Sequence, residues 1–236
     1  MSKDIYQISA SRLYVDARQH FRKGCGAADY KLGFQLMKRA AEKGHSKAHS
    51  WLGALYDYGL GTRTNRLRSF EHYKIAAEAG EPNSEYHIGA FYYEGIAVRR
   101  DYNEAVKWLR KAAAHGDDTA TYWLGQCYLH GRGVPFNEKE GFNHILNAAE
   151  KGVIPAQYSV GVCYERGQGV PADPRIAFRW YVRAARRGYQ DAAFSLARFY
   201  ENGWGTAVNK KKAEFWYNRA NPPSDPAGGP GQTDQK

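Results

Sequence analysis

One short element returns along this chain without slippage. Ala-Ala-x-x-Gly places its glycine at Gly44, Gly80, Gly116, Gly152 and Gly188, a constant step of 36 residues. Other landmarks keep the same step. Tyr56, Tyr92, Tyr128, Tyr164 and Tyr200 form one series, with His20 in that place in the first unit. Gly59, Gly95, Gly131, Gly167 and Gly203 form a second, and Asn65, Asp101, Asn137, Asp173 and Asn209, preceded by Asp29, a third. Trp108, Trp180 and Trp216 share a position with His72 and His144. Self-similarity at such a period marks an array of small supersecondary units rather than one globular core. Six units follow, ending near residues 44, 80, 116, 152, 188 and 221.

Residues 45–80 show what one unit is. Ala48, Leu52, Leu55, Tyr56 and Gly59 fall at i, i+4, i+7, i+8 and i+11, one face of a helix. Gly59-Leu60-Gly61 ends it, because glycine accepts the left-handed conformation at a helix C-terminus. Asn65 is a suitable N-cap for a second helix, on which Ser69, Phe70, Tyr73, Ala76 and Ala77 make another apolar face before Gly80 closes it. Alanine pairs and Gly53 let backbones approach closely, and Tyr56 and Tyr73 fill the space between. Pro135, Pro171 and Pro174 are placed in inter-helix turns, and Pro155 near the start of a first helix, where proline is tolerated. A lone hairpin cannot bury both apolar faces, but stacked hairpins can. The predicted fold is therefore all-α: an α/α solenoid of about six 36-residue helix-turn-helix repeats, a curved superhelix over residues 1–221.

The pattern A-x-x-x-L-G-x-x-Y-x-x-G-x-G-V-x-x-D/N, then A-x-x-W-Y/L-x-x-A-A-x-x-G, resembles the Sel1-like repeat family. Its best copies are AQYSVGVCYERGQGVPADPRIAFRWYVRAARRG, from Ala156 to Gly188, and ATYWLGQCYLHGRGVPFNEKEGFNHILNAAEKG, from Ala120 to Gly152. The period also separates it from the tetratricopeptide repeat, which spans about 34 residues. The likeness covers roughly residues 9 to 221 and departs at both ends. Lys23 stands for the turn glycine and Asp16-Ala17 for Leu-Gly in the first unit, and the last unit ends in Asn221-Pro222-Pro223. Both departures suit terminal caps. The resemblance implies a tetratricopeptide-like scaffold, an adaptor of bacterial signalling, regulation, secretion or host contact. Cysteine-rich members of the family pair cysteines within a unit, and some are linked to penicillin binding. This chain lacks those pairs, so lactamase-like activity is not carried over.

Chemistry is sparse. No phosphate-loop, zinc-protease or serine-hydrolase motif occurs, so no catalytic residue, cofactor or metal is assigned. The 25 glycines are explained by the repeat as helix stops. His45 and His49 stand four apart without an evident third ligand. Cys25, Cys127 and Cys163 are sparse and unclustered, and Cys127 and Cys163, equivalent in adjacent units, are expected to stay buried thiols. The N-terminus, MSKDIYQISASRLY, shows no apolar run or cleavage signature, and no segment reaches membrane-span length, so the expectation is a cytoplasmic protein. NPPSDPAGGPGQTDQK, rich in Pro and Gly without a bulky apolar residue, reads as a disordered tail over 222–236.

The positions that vary between units carry the functional reading. On the first-helix wheel, 47, 51, 54 and 58 and their equivalents lie off the recurring apolar face. In solenoids of this kind that row lines the concave side. It supplies Trp51, Tyr58, His87, Glu94, Trp123, Gln126, His130, Arg166 and Arg198 as candidate partner-binding residues. Large aromatics with Arg and His are what binding surfaces are enriched in. A second candidate is the basic stripe Arg175, Arg179, Arg183 and Arg187, one every four residues, with Arg186 beside them. The net charge of +10 admits acidic partners, and it concentrates in the end units while the middle is near neutral. The predicted function is a non-catalytic interaction scaffold holding a peptide or protein on its concave surface, rather than nucleic acid. The alternatives are a hydrolase related to the cysteine-rich relatives, or a binder of an acidic polymer through the basic end repeats.

Overall fold

The computed structural model describes residues 8–22 and 24–221. The proposed tail over 222–236 lies outside the described residues. Among them are twelve helices and no strand. The chain divides into two compact units, Met1–Asn147 and Ala148–Lys236. Unit 1 holds α1 (Ala10–Gln19), α2 (Ala27–Glu42), α3 (Ser46–Tyr58), α4 (Arg66–Glu78), α5 (Pro82–Glu94), α6 (Tyr102–Ala114) and α7 (Asp118–His130). The boundary falls inside α8 (Glu138–Glu150), and unit 2 holds α9 (Ile154–Arg166), α10 (Pro174–Arg186), α11 (Gln190–Asn202) and α12 (Lys210–Ala220). In unit 1 the pairs α1–α2, α3–α4 and α5–α6 form hairpins, each leaning on the next. In unit 2, α9–α10 and α11–α12 do the same. This is the α-solenoid arrangement read from the repeat.

The sequence landmarks are the joints of each hairpin. First helices end on Gly59, Gly95, Gly131, Gly167 and Gly203, all left-handed. The Asn/Asp series then caps the second helix. Asn65 Oδ1 accepts from Arg68 N at 3.0 Å, and Asp101 Oδ1 from Asn103 N at 2.9 Å. Asn137, Asp173 and Asn209 do likewise. The backbone N–H of each cap also donates to the carbonyl of its tyrosine landmark, from Asn65 to Tyr56 at 2.8 Å through Asn209 to Tyr200 at 2.7 Å. Pro174 proves to be the first residue of α10 rather than part of the turn. Its absent N–H is one the helix would leave unpaired there anyway.

Inside four of the hairpins a glycine of the first helix receives a large side chain of the second; Ala17 and Ala197 take that place in the first and last. A Cβ added at Gly53 would lie 2.7 Å from the Tyr73 ring, and at Gly89 2.8 Å from Leu109 Cγ. At Gly125 it would meet Ile145 at 2.5 Å, and at Gly161 the Tyr181 ring at 2.5 Å. Tyr73, Leu109, Ile145 and Tyr181 are correspondingly buried. Where this residue is tyrosine, its hydroxyl needs a partner. Tyr181 donates to Glu165, and in the last hairpin, where Ala197 stands for the glycine, the equivalent Tyr217 donates to Glu201 at 2.8 Å. Leu109 and Ile145 instead stand in the hairpins that carry Tyr93 and Leu129 at that first-helix position. Alanines such as Ala40, Ala76, Ala112, Ala120, Ala184 and Ala192 are fully buried, which permits close helix contact within and between hairpins. Cys127 and Cys163 are buried thiols outside any disulfide, as expected, and Cys25 is half-buried.

One corner breaks the pattern. Gly61, Gly133 and Gly205 are left-handed, and a Cβ there would sit 2.1–2.2 Å from the carbonyl oxygens of Tyr30, Tyr102 and Pro174. The same place in the third repeat holds Ala97, left-handed at φ 61° and alone among described non-glycine residues in being so. Its methyl requires a wider approach of this turn to the preceding hairpin. Ala97→Gly relieves about 1–2 kcal/mol of left-handed strain and gives back about 0.5–1 kcal/mol in chain entropy. A small rise in melting temperature is expected. Gly133→Ala lowers stability by about 2 kcal/mol or more through strain and the clash with Tyr102. Thermal melts of the three proteins check the order Ala97→Gly, wild type, Gly133→Ala.

Candidate functional site

The proposed row is carried in unit 1 by α3, α5 and α7. Trp51, His87 and Trp123 occupy equivalent places, and each lies against the hairpin before it. The Trp51 ring is 5.6 Å from Phe21, with the Arg18 guanidinium 5.9 Å from its centre. His87 stacks on Tyr73 at 4.2 Å and 15°. Trp123 meets Tyr93 at 4.9 Å and Tyr122 at 5.7 Å. Trp51 and Trp123 join the margins of two buried clusters. The wheel placed them on a row the core does not use. The structure corrects this: each indole packs into the joint between hairpins and is only partly accessible. A helical wheel describes one helix, and this burial comes from the neighbouring hairpin.

The far end of the row is open. Tyr58 is 70% exposed, and Glu94 and His130 are exposed, whereas Gln126 is half-buried. Two cavities flank the row. One, of about 330 Å³, is lined by Trp51 with Val15, Arg18, Gln19, Phe21 and Arg22. The other, of about 100 Å³, is lined by His87 and Glu94 with Asp57, Arg66, Ala90, Phe91 and Ile96. Asp57 binds Arg66 Nη1 at 2.6 Å and is largely shielded, so the two lock together. No ion pair engages the Glu94 carboxylate among the described residues. Burial lowers the pKa of His87, against opposing pulls from Asp57 and Asp117, so its imidazole is neutral near pH 7. His130 is lowered by burial and then by Arg132. The small cleft therefore offers a free carboxylate and a neutral imidazole. The sequence reading missed Asp57 and Arg66, which no landmark series singles out.

The remaining candidates belong to unit 2. Arg166 is exposed, and Arg198 is half-buried with its guanidinium 5.2 Å from the Trp204 ring centre. Arg175, Arg179, Arg183 and Arg187 are exposed on α10 and its C-cap, with Arg183 4.5 Å from the Trp180 ring centre.

His45 and His49 do not act together. His45 stacks on Tyr14 at 4.3 Å, while His49 Nδ1 lies 3.0 Å from His72 Nδ1. Among the described residues no three His, Cys, Asp or Glu side chains are grouped to hold a metal ion. The Cys127 thiol is pushed up to about 11 by burial, which makes it a packing group rather than a nucleophile at neutral pH.

The Sel1 repeat pattern matches residues 16–45, 46–81, 82–117, 119–153, 154–189 and 190–221. The chain belongs to the Sel1 repeat family. A Sel1 repeat protein from Oxalobacter formigenes is 30% identical and superposes with a TM-score of 0.85, over 95% of this chain and 90% of that one. The protein c5321, a protective antigen present in uropathogenic Escherichia coli strains with an SLR fold, is 28% identical at a TM-score of 0.80. The match spans 92% of this chain and 47% of that one. The immunity protein Pa5087 from Pseudomonas aeruginosa, 23% identical with a TM-score of 0.57 over 89% and 80% of the two chains, shares the fold alone. No curated protein matches. No helix among the described residues is long and apolar enough to cross a membrane.

The His49–His72 contact gives this Sel1 repeat protein a pH dependence. Burial, then the charges of His49, Arg68 and Lys38, pushes His72 down to about 4, and burial also lowers His49. Facing nitrogens this close share one proton and reject a second. A base with a depressed folded pKa favours the neutral form, so its stability contribution is full above about pH 6.5. It falls as the pH drops toward 4, because the unfolded chain takes the proton first. His72→Trp, the residue found at Trp108 and Trp180, should shrink the fall in melting temperature between pH 7 and 4.5. An equal fall in variant and wild type would show that other groups carry it.

Proposed function

We propose that this Sel1 repeat protein is a non-catalytic scaffold that holds a peptide or protein segment along the α3, α5 and α7 face of unit 1. Proteins of this family generally mediate protein–protein interaction, and the fold is typically a non-catalytic scaffold. The observation that carries the reading is the small cleft on α5. There the Glu94 carboxylate and neutral His87 line a cavity, and the 70%-exposed Tyr58 holds the place equivalent to Glu94 one repeat earlier. An exposed aromatic one repeat from a carboxylate favours partner side chains that are cationic and have an apolar stem, such as Lys or Arg. Their charge is attracted to Glu94 and the ring face, while the stem covers the ring. Trp51 and Trp123 contribute accessible edges and hold the hairpins in register beneath the partner.

Tyr58 and Glu94, not the indoles, are the residues to change, since truncating Trp51 or Trp123 removes packing as well. Peptides selected by display on the wild-type protein should be enriched in Lys or Arg next to an apolar residue. Tyr58→Ala/Glu94→Lys should weaken such a peptide about tenfold or more with its melting temperature unchanged. Titration calorimetry measures it. Selected peptides that bind the double variant as tightly as wild type would move the site elsewhere.

A further inference from the structure

We propose that the exposed face of α10 is a second docking surface, and that its partner is an acidic segment of another protein. It is separate from the α3, α5 and α7 face and does not depend on it.

The repeats supply an internal comparison. Five of the six second helices contain carboxylates: Asp29 and Glu42 in α2, Glu71 and Glu78 in α4, Glu104 in α6, Glu138, Glu140 and Glu150 in α8, and Glu214 in α12. In α10 there is none, and Arg175, Arg179, Arg183 and Arg186 take the exposed positions, with Arg187 as C-cap. Arg186 stands where α2, α4 and α8 carry Glu42, Glu78 and Glu150. Two of those acids close i,i+4 pairs, Lys38–Glu42 at 3.8 Å and Lys74–Glu78 at 4.0 Å. Among the described residues, none of the five arginines has an ion-pair partner.

The stripe does not serve the fold. Like charges at i,i+4 oppose helix formation, and Arg175 in the first turn opposes the helix dipole. Folding of α10 is supplied by its other face, where Ala177, Trp180, Tyr181, Ala184 and Ala185 are buried. One guanidinium is held in place, since Arg183 lies 4.5 Å from the Trp180 ring centre. Lys111 over Trp108, at 4.3 Å, repeats that arrangement two units earlier, but on a helix that also carries Glu104.

The spacing fits carboxylates. Arginines four apart on a helix repeat every ~6 Å along the axis. Glutamates four apart on a facing helix repeat at the same step, and alternate residues of an extended segment at ~6.6 Å. Guanidinium groups pair with carboxylates through two parallel bonds, which lysine cannot do. Nucleic acid is disfavoured because this face leaves no open ring on which a base could stack. Trp180 is buried beneath Arg183, and Phe178 is half-buried.

The test is fluorescence anisotropy with the full chain at about 0.1 M salt, where exposed charges are screened beyond ~10 Å. The probe is a labelled helical peptide carrying four glutamates at i,i+4 spacing, against its Gln counterpart and a single-stranded oligonucleotide. Arg179→Glu/Arg183→Glu, which leaves Arg175 and Arg187 as helix partners for the new acids, should weaken the Glu peptide about tenfold or more. Lys210→Glu/Lys211→Glu, with the same change in charge, should weaken it less than about twofold. Tyr58→Ala should leave it unchanged, and the Gln peptide should not bind. Arg179→Gln/Arg183→Gln repeats the test should the reversal fail to fold, as judged by circular dichroism. Equal weakening by both charge reversals would reduce the effect to the general field of a basic protein. An oligonucleotide that binds more tightly through these arginines, or no binding of the Glu peptide, would overturn the proposal.

Discussion

Close approach of two helices at a missing Cβ is the constraint on which the rest of this structure depends. Gly53, Gly89, Gly125 and Gly161 each leave a gap that one large residue of the facing helix fills, at distances no added side chain would allow. Filling the gap fixes the separation of the helices and the register of the hairpin. It also fixes where the loop must turn, and hence where the left-handed glycine and the Asn or Asp cap fall. The bond from each cap N–H to the tyrosine carbonyl then holds the loop to the first helix. Because this set of contacts is complete within 36 residues, the unit can be copied.

Repetition also lets the copies be read against one another. Where the facing residue is Tyr181 or Tyr217, a carboxylate of the first helix accepts its hydroxyl. Where it is Leu109 or Ile145, that place holds Tyr93 or Leu129. Val15 stands at the place of Trp51 and Trp123 and is exposed where they are half-buried. Tyr217 stands at the place of buried Tyr73 and Tyr181 and is only half-buried. Ala97, in a corner that four other repeats give to glycine, is a departure of a different kind, since it strains a turn that the pattern leaves relaxed.

Function divides along the same line. The positions that build the hairpin recur and carry no information about a partner. The positions free to differ are where we propose a partner is specified: Tyr58 and Glu94 in unit 1, and the arginines of α10 in unit 2. The two proposed sites have opposite charge.

The helices, their limits, their caps and the buried thiols were legible in the sequence, because each follows from contacts within a few residues or from one 36-residue period. The arginine stripe was legible for the same reason, since residues four apart share a helix face. Burial across the joints was not. Trp51 and Trp123 looked free on the wheel, yet Phe21 and Tyr93 from the preceding hairpins cover them in part. Asp57 and Arg66 join His87 and Glu94 in one cleft, and His49 meets His72 across a hairpin, through contacts that no spacing along the chain announces. The sequence by itself determined the repeating hairpin, because backbone turns, caps and small-residue contacts are local. Tertiary structure alone decided which side chains of the varying row are spent on sealing and which are left for a partner, because that depends on what the neighbouring hairpin places against them.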